Sequence, residues 1–181
     1  LSLSIPEIAT LFTRGFEGYF VPVQMTDVAL QTMIRRDGVD LAESRVLLKD
    51  DQPIGVALIA RRGWTSRLAA MGIVTEARNS GAGTWAMQNL IEEARFRGDK
   101  EMVLEVIEQN TAGVKLYQKV GFKIIRRLLG YKLENPQPAE DGESEDDELV
   151  EIDIRELARL VAYHGLPDMP WQLSGASIMQ H

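Results

Sequence analysis

ARNSGAGTWAMQNLIEEA, residues Ala77–Ala94, decides how the rest of the chain is read. Its centre, Gly81-Ala82-Gly83-Thr84-Trp85-Ala86, fits the dinucleotide fingerprint G-x-G-x-x-A. A dinucleotide turn, however, sets its first glycine at the end of a strand and is followed by further β-α-β units. Here Thr75 to Ser80 stand between a strand ending near Val74 and Gly81, and few residues remain for more such units. The Walker pattern fails too, because no Gly-Lys-Ser/Thr is present. The register that fits in full starts three residues earlier, as Arg78-Asn79-Ser80-Gly81-Ala82-Gly83, an Arg-x-x-Gly-x-Gly between strand and helix. Backbone N–H groups at such a helix start bind a pyrophosphate, and the glycines let the main chain approach it. A plain strand-to-helix turn is the alternative.

Outward from this turn, Gly83, Met87, Leu90, Ile91 and Ala94 fall on one helical stripe, with Trp85 off it and facing solvent or a partner. The helix is expected to stop at Arg97-Gly98, a basic last turn followed by a glycine cap. Upstream, Ser4 and Pro6 mark the start of a helix through Ile8 and Leu11, and a second helix spans Thr26 to Arg36. Ser44–Lys49 and Ile54–Arg61 read as strands joined by the turn Asp50-Asp51-Gln52-Pro53, and Leu68–Val74 as a third strand. Downstream come a strand over Met102–Ile107, a short helix over Asn110–Lys119, and a long final strand over Phe122–Leu133. The crossover from Val74 through the helix to Val103 is of the parallel kind, so both faces of the sheet need cover.

Composition narrows the chemistry. With 181 residues, 45% hydrophobic and 26% charged, the chain has enough apolar content for a real core. No stretch nears the roughly 20 apolar residues that span a bilayer, and no signal-peptide pattern appears. There are no cysteines, which removes disulfides, thiolate nucleophiles and Cys-based zinc sites and makes a cytoplasmic setting the simplest fit. The two histidines, His164 and His181, lie near the C-terminus, so imidazole chemistry and a metal site are not expected in the body. Nine acids and no Lys or Arg lie between Glu134 and Glu151; without those nine, the net −7 becomes +2. The near-neutral body has no basic, aromatic-interleaved face, so neither nucleic acid nor membrane is an expected partner.

The domain plan is residues 1–133, an acidic linker over 134–151 rich in Pro, Gly and Ser, and a further piece over 152–181. Ile154-Arg155-Glu156-Leu157-Ala158-Arg159-Leu160-Val161 echoes Ile5-Pro6-Glu7-Ile8-Ala9-Thr10-Leu11-Phe12, and Pro170-Trp171-Gln172-Leu173-Ser174 echoes Pro22-Val23-Gln24-Met25-Thr26. The two matches agree in register, which reads as a second, truncated copy or a C-terminal helical extension. A true repeat implies a natural protein continuing past His181, with a homodimer or an intramolecular second lobe as the expected assembly.

About 30 residues after the glycine turn comes Asn110-Thr111-Ala112-Gly113-Val114-Lys115-Leu116-Tyr117-Gln118-Lys119-Val120-Gly121-Phe122. With Arg78–Gly83, this segment resembles the GNAT N-acetyltransferases, which use acetyl-CoA. The resemblance runs in element order over Ile5–Leu133. It implies an α/β (α+β) fold, a GNAT-like twisted mixed β-sheet flanked by helices, with acetyl-CoA as cosubstrate and no metal. It implies that Arg78, Asn79, Ser80, Gly81, Ala82, Gly83 and Thr84 hold the CoA pyrophosphate, mainly through backbone amides. Ile73 and Thr75 would pair by main chain with the pantetheine arm, Asn110 would hydrogen-bond it, and Tyr117 would protonate the departing thiolate. Gly121-Phe122 would be structural. The sequence departs from many members at Asn79, where they carry glycine, and at Glu76-Ala77, where they carry Pro-Glu; Asn tolerates a left-handed backbone.

Transfer to an amine needs a base to take the ammonium proton and an acid for a thiolate whose thiol has a pKa near about 8.5. Without cysteine an acetyl-Cys intermediate is excluded, which favours direct transfer in a ternary complex. Several family members use a glutamate on the strand before the glycine turn, but Arg67–Val74 contains none. Glu105 is the first candidate base, ahead of Glu76 and Glu108. Phe16, Tyr19, Phe20 and Trp64 are candidates to line a pocket for a small-molecule or peptide amine of unread identity. A CoA-binding regulatory module without turnover is the alternative, and a nicotinamide-dependent dehydrogenase the third reading.

Overall fold

The computed structural model describes residues 3–135, 150–166 and 169–180. Two helices open the chain, α1 (Ile5–Gly15) and α2 (Asp27–Asp37). Three antiparallel strands follow, β1 (Val39–Lys49), β2 (Gln52–Arg62) and β3 (Thr65–Ile73). A 3₁₀ turn (Thr75–Ala77) leads to α3 (Ala82–Arg97), then β4 (Glu101–Leu104) and α4 (Thr111–Lys119). The sheet order is β1-β2-β3-β4, and β4 lies parallel to β3, so the sheet is mixed as expected.

The starts and stops follow from local chemistry. Glu7 accepts hydrogen bonds from both the N–H and the hydroxyl of Ser4 (2.7 and 2.6 Å), which satisfies donors at the entry to α1. Thr26 caps α2 by accepting from Ala29 N, and Gly38, at φ 68, closes it in the left-handed region. Asp50 and Asp51 both have positive φ, which gives the tight reversal between β1 and β2.

Helices α1 and α2 cover one face of the sheet, burying Ala9, Leu11, Phe12 and Leu30 against Val39, Val56 and Leu58. Helices α3 and α4 cover the other, where Met87 and Leu90 meet Ala57, Ile59 and Leu68 with Leu104, Leu116, Tyr117 and Phe122 packed around them. Full burial of a side chain such as Leu30 or Leu58 stabilises the fold by about 1.5–3 kcal/mol. At the hairpin end, Asp99 joins Arg61 (3.1 Å) and Arg97 (2.9 Å), tying β2 to the end of α3. Burial acts to raise the Asp99 carboxyl, but hydrogen bonds from Arg97 and Arg61 outweigh it and hold the group below its ordinary value.

Two differences from the sequence reading bear on the site. Strand β4 stops at Leu104 rather than Ile107. No strand forms over Phe122–Leu133, where Ile124, Ile125, Leu129, Tyr131 and Leu133 are exposed. The reason is visible in the order Ile124-Ile125-Arg126-Arg127-Leu128-Leu129: apolar residues come in pairs, so neither face of an extended segment is consistently apolar. The neighbouring edge, β4, offers only four residues.

The acidic linker lies outside the described residues except for its ends. Beyond it are α5 (Ile154–His164), a 3₁₀ turn (Trp171–Leu173) and α6 (Gly175–Ile178). Helix α5 has the same 11-residue length as α1, and Ser174 precedes α6 as Thr26 precedes α2. Among the described residues, no helix is long and apolar enough to cross a membrane.

Candidate active site

The site is built where β3 and β4 part. Their parallel ladder runs only from Thr65↔Glu101 to Leu68↔Leu104. Past Leu68, β3 continues to Ile73 paired only with β2, so its other edge from Ala69 to Ile73 carries main-chain groups free of a strand partner. The pairing skips Ala69 between Leu58↔Ala70 and Ile59↔Leu68, a bulge on β3 at the same level that turns that strand. The glycine turn stands at the far end of this free edge.

In that turn Asn79 and Gly81 both have positive φ (59° and 88°), so Asn79 adopts the left-handed conformation expected of it. The first amides of α3 have no intrahelical acceptor and point out of the helix start. The glycines have different reasons. Gly81 supplies the backbone conformation, and a Cβ there would meet nothing within 4 Å. Gly83 supplies closeness: a Cβ would lie 3.2 Å from Leu116 and 3.4 Å from Ile73, so α3 nests against α4 and β3. Gly83→Val is therefore expected to destabilise the fold by about 1–3 kcal/mol, read as a lower urea midpoint. Gly81→Asn, compatible with positive φ, should leave the unfolding free energy within about 1 kcal/mol of the parent.

Arg78 turns away from the loop. Its Nε donates to Ile73 O (2.9 Å) and its Nη2 to Gly15 O (3.1 Å) and Glu17 O (2.7 Å). The guanidinium thus caps the C-terminal end of α1 and ties it to β3. The main-chain N–H of Arg78 donates to Thr75 O (3.2 Å), closing the 3₁₀ turn, and the Ile73 carbonyl is already engaged. Ser80 Oγ donates to Ala77 O (2.7 Å), bracing the turn from within.

On the other side of the parting, Asn110 Oδ1 caps α4 by accepting from Gly113 N (3.0 Å), leaving its Nδ2 as the donor. Tyr117 packs in the α3-side cluster with Phe122 at 6.1 Å, edge to face. Burial, and then the nearby Tyr19, push its phenol up to about 12. Tyr19 belongs to an aromatic chain, with Phe12 stacked on Phe16 (4.6 Å), Phe16 against Tyr19 (5.4 Å), and Tyr19 against Phe20 (5.4 Å). Three of the four expected pocket aromatics are thus contiguous. Trp64 is not with them: it is 60% exposed in the hairpin before β3, at the end opposite the glycine turn. Trp85 is exposed, as expected.

Glu105 is the first residue after β4 and turns to the α2 face. Its Oε2 lies 2.7 Å from Arg67 Nη2, and Arg67 Nη1 lies 3.6 Å from Asp37 Oδ2. Arg67 and Asp37 are both buried. Glu105 and Tyr117 therefore serve opposite faces of the parting. Glu76 is exposed beside the turn, and Glu108 pairs with Arg127 at 2.9 Å in solvent. The Arg67–Asp37–Glu105 cluster was not anticipated from sequence. Its signal is a lone arginine in the apolar run Leu68-Ala69-Ala70-Met71 that follows it, a position that demands a buried counter-charge.

This architecture is a mixed α/β sheet, flanked by helices and parted beside a glycine-rich helix start. A profile of the acetyltransferase (GNAT) family matches residues 6–122, and the chain belongs to that family. It is 35% identical over 95 residues to N-alpha-acetyltransferase 30 of Schizosaccharomyces pombe, a match covering 50% of this chain and 63% of that protein, under two thirds of its length. The ribosomal-protein-S18-alanine N-acetyltransferase of Escherichia coli superposes with a TM-score of 0.55 at 20% identity, over 68% of this chain and 76% of its own. The aminoglycoside N-acetyltransferase AAC(6')-Iy, solved with the bisubstrate analogue CoA-S-monomethyl-acetylneamine, gives 0.50 at 18% identity, over 67% and 88%. At these identities the structural likeness is one of fold.

Proposed function

We propose that this chain is an acetyl-CoA-dependent N-acetyltransferase acting on a primary amine of a small molecule or peptide in a ternary complex. The observation that carries the reading is the free edge of β3 running from the glycine turn to the parting, with Tyr117 on one side and Glu105 on the other. The amides of Asn79–Thr84 would receive the pyrophosphate. The arm would lie along the free edge at Ile73, with Thr75 in the turn just past it, and be met by Asn110 Nδ2. The amine nitrogen then attacks the thioester carbonyl, an amide forms, and the leaving sulfur takes the Tyr117 proton as the C–S bond breaks. Glu105 accepts the proton that the amine loses. Absence of cysteine excludes an acetyl-Cys intermediate, which favours direct transfer.

The test needs no knowledge of the acceptor. At a hundred times its Kd, a ligand adds about 2.7 kcal/mol, which for a chain of this size raises the melting temperature by about 5–10 °C. CoA and acetyl-CoA are expected to give that rise and NAD none; no rise with either thioester or thiol form sinks the reading. A CoA-binding module without turnover is the second reading, favoured by one observation: Arg67 already engages Glu105. Stabilisation by CoA with no acetylation across a broad amine panel selects it.

We also infer that residues 152–181 open a second GNAT-like unit. The equal 11-residue lengths of α1 and α5 support this, together with the sequence echo. Helix α5 buries Ala158 as α1 buries Ala9, yet leaves Leu157 and Leu160 half-exposed.

A further inference from the structure

Beyond the acidic stretch, the described residues 171–177 pack on the body beside Asp37, Arg62 and Glu105. Trp171 donates from its indole Nε1 to the carbonyl of Asp37 (2.7 Å), the last residue of α2. Its ring lies under the Arg62 guanidinium at 3.9 Å, with Arg67 at 5.9 Å. Arg62 in turn donates to Ser174 Oγ and Ser177 Oγ, each at 2.6 Å. These bonds fix the 3₁₀ turn Trp171–Leu173 over the end of β4. There the main-chain N–H of Trp171 and the side-chain amide of Gln172 both point at Glu105, each at 3.4 Å.

The placement matters because of which face it covers. Tyr117 and the glycine turn belong to the α3–α4 side, so an arm lying in the parting has its thioester reached from that side by the phenol. An amine must come from the other side, past Glu105. That side is walled by Asp37 at the end of α2, by buried Arg67, and by Trp171-Gln172. The carboxylate of Glu105 is held from three directions, by Arg67, Trp171 N and Gln172 Nε2, yet about one third of its side chain remains open to solvent at 32%.

We propose that Trp171 and Gln172 are specificity-determining residues: they form the outer wall of the amine entrance and position the Glu105 carboxylate. The inference rests on the acetyltransferase reading above. A segment separated from the catalytic domain by an acidic stretch thereby sets which amines reach the thioester. The indole supplies bulk and rigidity, anchored at both ends by Asp37 and Arg62, and Gln172 supplies the polar contact. Bulky amines are excluded by the wall, and small ones pass.

The experiment uses the full chain. CoA release is followed with a thiol reagent, which meets no protein background because there is no cysteine. Ethylamine and an alanine-terminated tetrapeptide serve as small and bulky acceptors. Trp171→Ala is expected to raise kcat/KM for the tetrapeptide relative to ethylamine at least fivefold. Trp171→Phe, which keeps the ring over Arg62, should stay within twofold of the parent ratio. If Trp171→Ala melts non-cooperatively, Gln172→Ala replaces it, with an expected twofold change in the same ratio, read with kcat and KM taken separately. Where neither amine is turned over, hydrolysis of acetyl-CoA by water is read instead, and Trp171→Ala is expected to raise it at least threefold. An unchanged ratio, with unchanged hydrolysis, overturns the inference. An equal rise for both amines marks a plug rather than a selective wall, and also overturns it. Absence of a CoA-induced melting shift overturns the acetyltransferase reading and this inference together, whereas a normal shift with an unchanged ratio overturns this inference alone.

Discussion

Tyr117→Phe is expected to lower kcat by about 100-fold or more, the usual contribution of a positioned general acid, while the Kd for acetyl-CoA changes by less than about twofold. The ring sits in the cluster of Leu68, Met87 and Leu90 and packs on Phe122, contacts that phenylalanine keeps. What the substitution removes is the phenolic proton that the proposed mechanism gives to the sulfur. With its phenol pushed up to about 12, Tyr117 is protonated throughout the physiological range and so is always able to donate. A free thiolate, with a thiol pKa of about 8.5, is too weak a base to remove that proton outright. The proton therefore moves as the C–S bond breaks, when charge on sulfur is held in the same buried place. Steady-state kinetics with calorimetric acetyl-CoA binding checks the split; an unchanged kcat removes Tyr117 from the acid role.

The same shift has a signature independent of turnover. Between the ordinary value of 10.0 and about 12, the unfolded chain has released the Tyr117 proton and the folded chain has not. Folding is then linked to proton retention, so stability present below pH 10.0 is lost as pH rises toward about 12. The phenylalanine variant lacks that loss. Its phenolate absorbance titration should lack the late step of the parent, and its stability should fall less steeply with alkali.

How much of this was legible beforehand depends on whether a feature is local. The glycine turn is: Arg78 to Gly83 carries its own conformational demands, and the positive φ at Asn79 and Gly81 follows from residue type. The alternating elements up to Lys119 were readable for the same reason, since caps such as Ser4, Thr26 and Gly98 act within a few residues of themselves. The role of the Arg78 side chain was not legible, because its acceptors, Gly15 and Glu17, lie far back in the chain. Trp64 was grouped with Phe16 as an aromatic, although strand direction puts it at the other end of β3. The strand expected over Phe122–Leu133 was a reading of apolar content that overlooked the paired spacing. Most hidden was the meeting of Asp37, Arg67, Glu105 and Trp171, four residues from four separate parts of the sequence. Only the folded sheet and the return of the C-terminal segment bring them together.

That cluster carries the largest expected stability effect. Arg67→Met is expected to destabilise the fold by about 3 kcal/mol, the lower end for removing one partner of a buried ion pair, and to lower the melting temperature by about 6–12 °C. The Arg67 side chain is 5% exposed and faces two carboxylates, Asp37 at 2% exposed and Glu105 at 32%. Without it, Asp37 keeps Arg36 at 2.8 Å, which limits the loss. Glu105 keeps only the longer contacts from Trp171 and Gln172, but solvent reaches it. Methionine fills the space of the arginine stem, so the loss measures charge left uncompensated more than a cavity. The companion double variant, Arg67→Met with Asp37→Asn, removes the buried charge on both sides and should recover at least about half of the deficit. Equal melting of the single variant and the parent would show that the buried cation is held without net benefit. A double variant worse than the single would place the cost in lost packing around α2 and β3 rather than in charge.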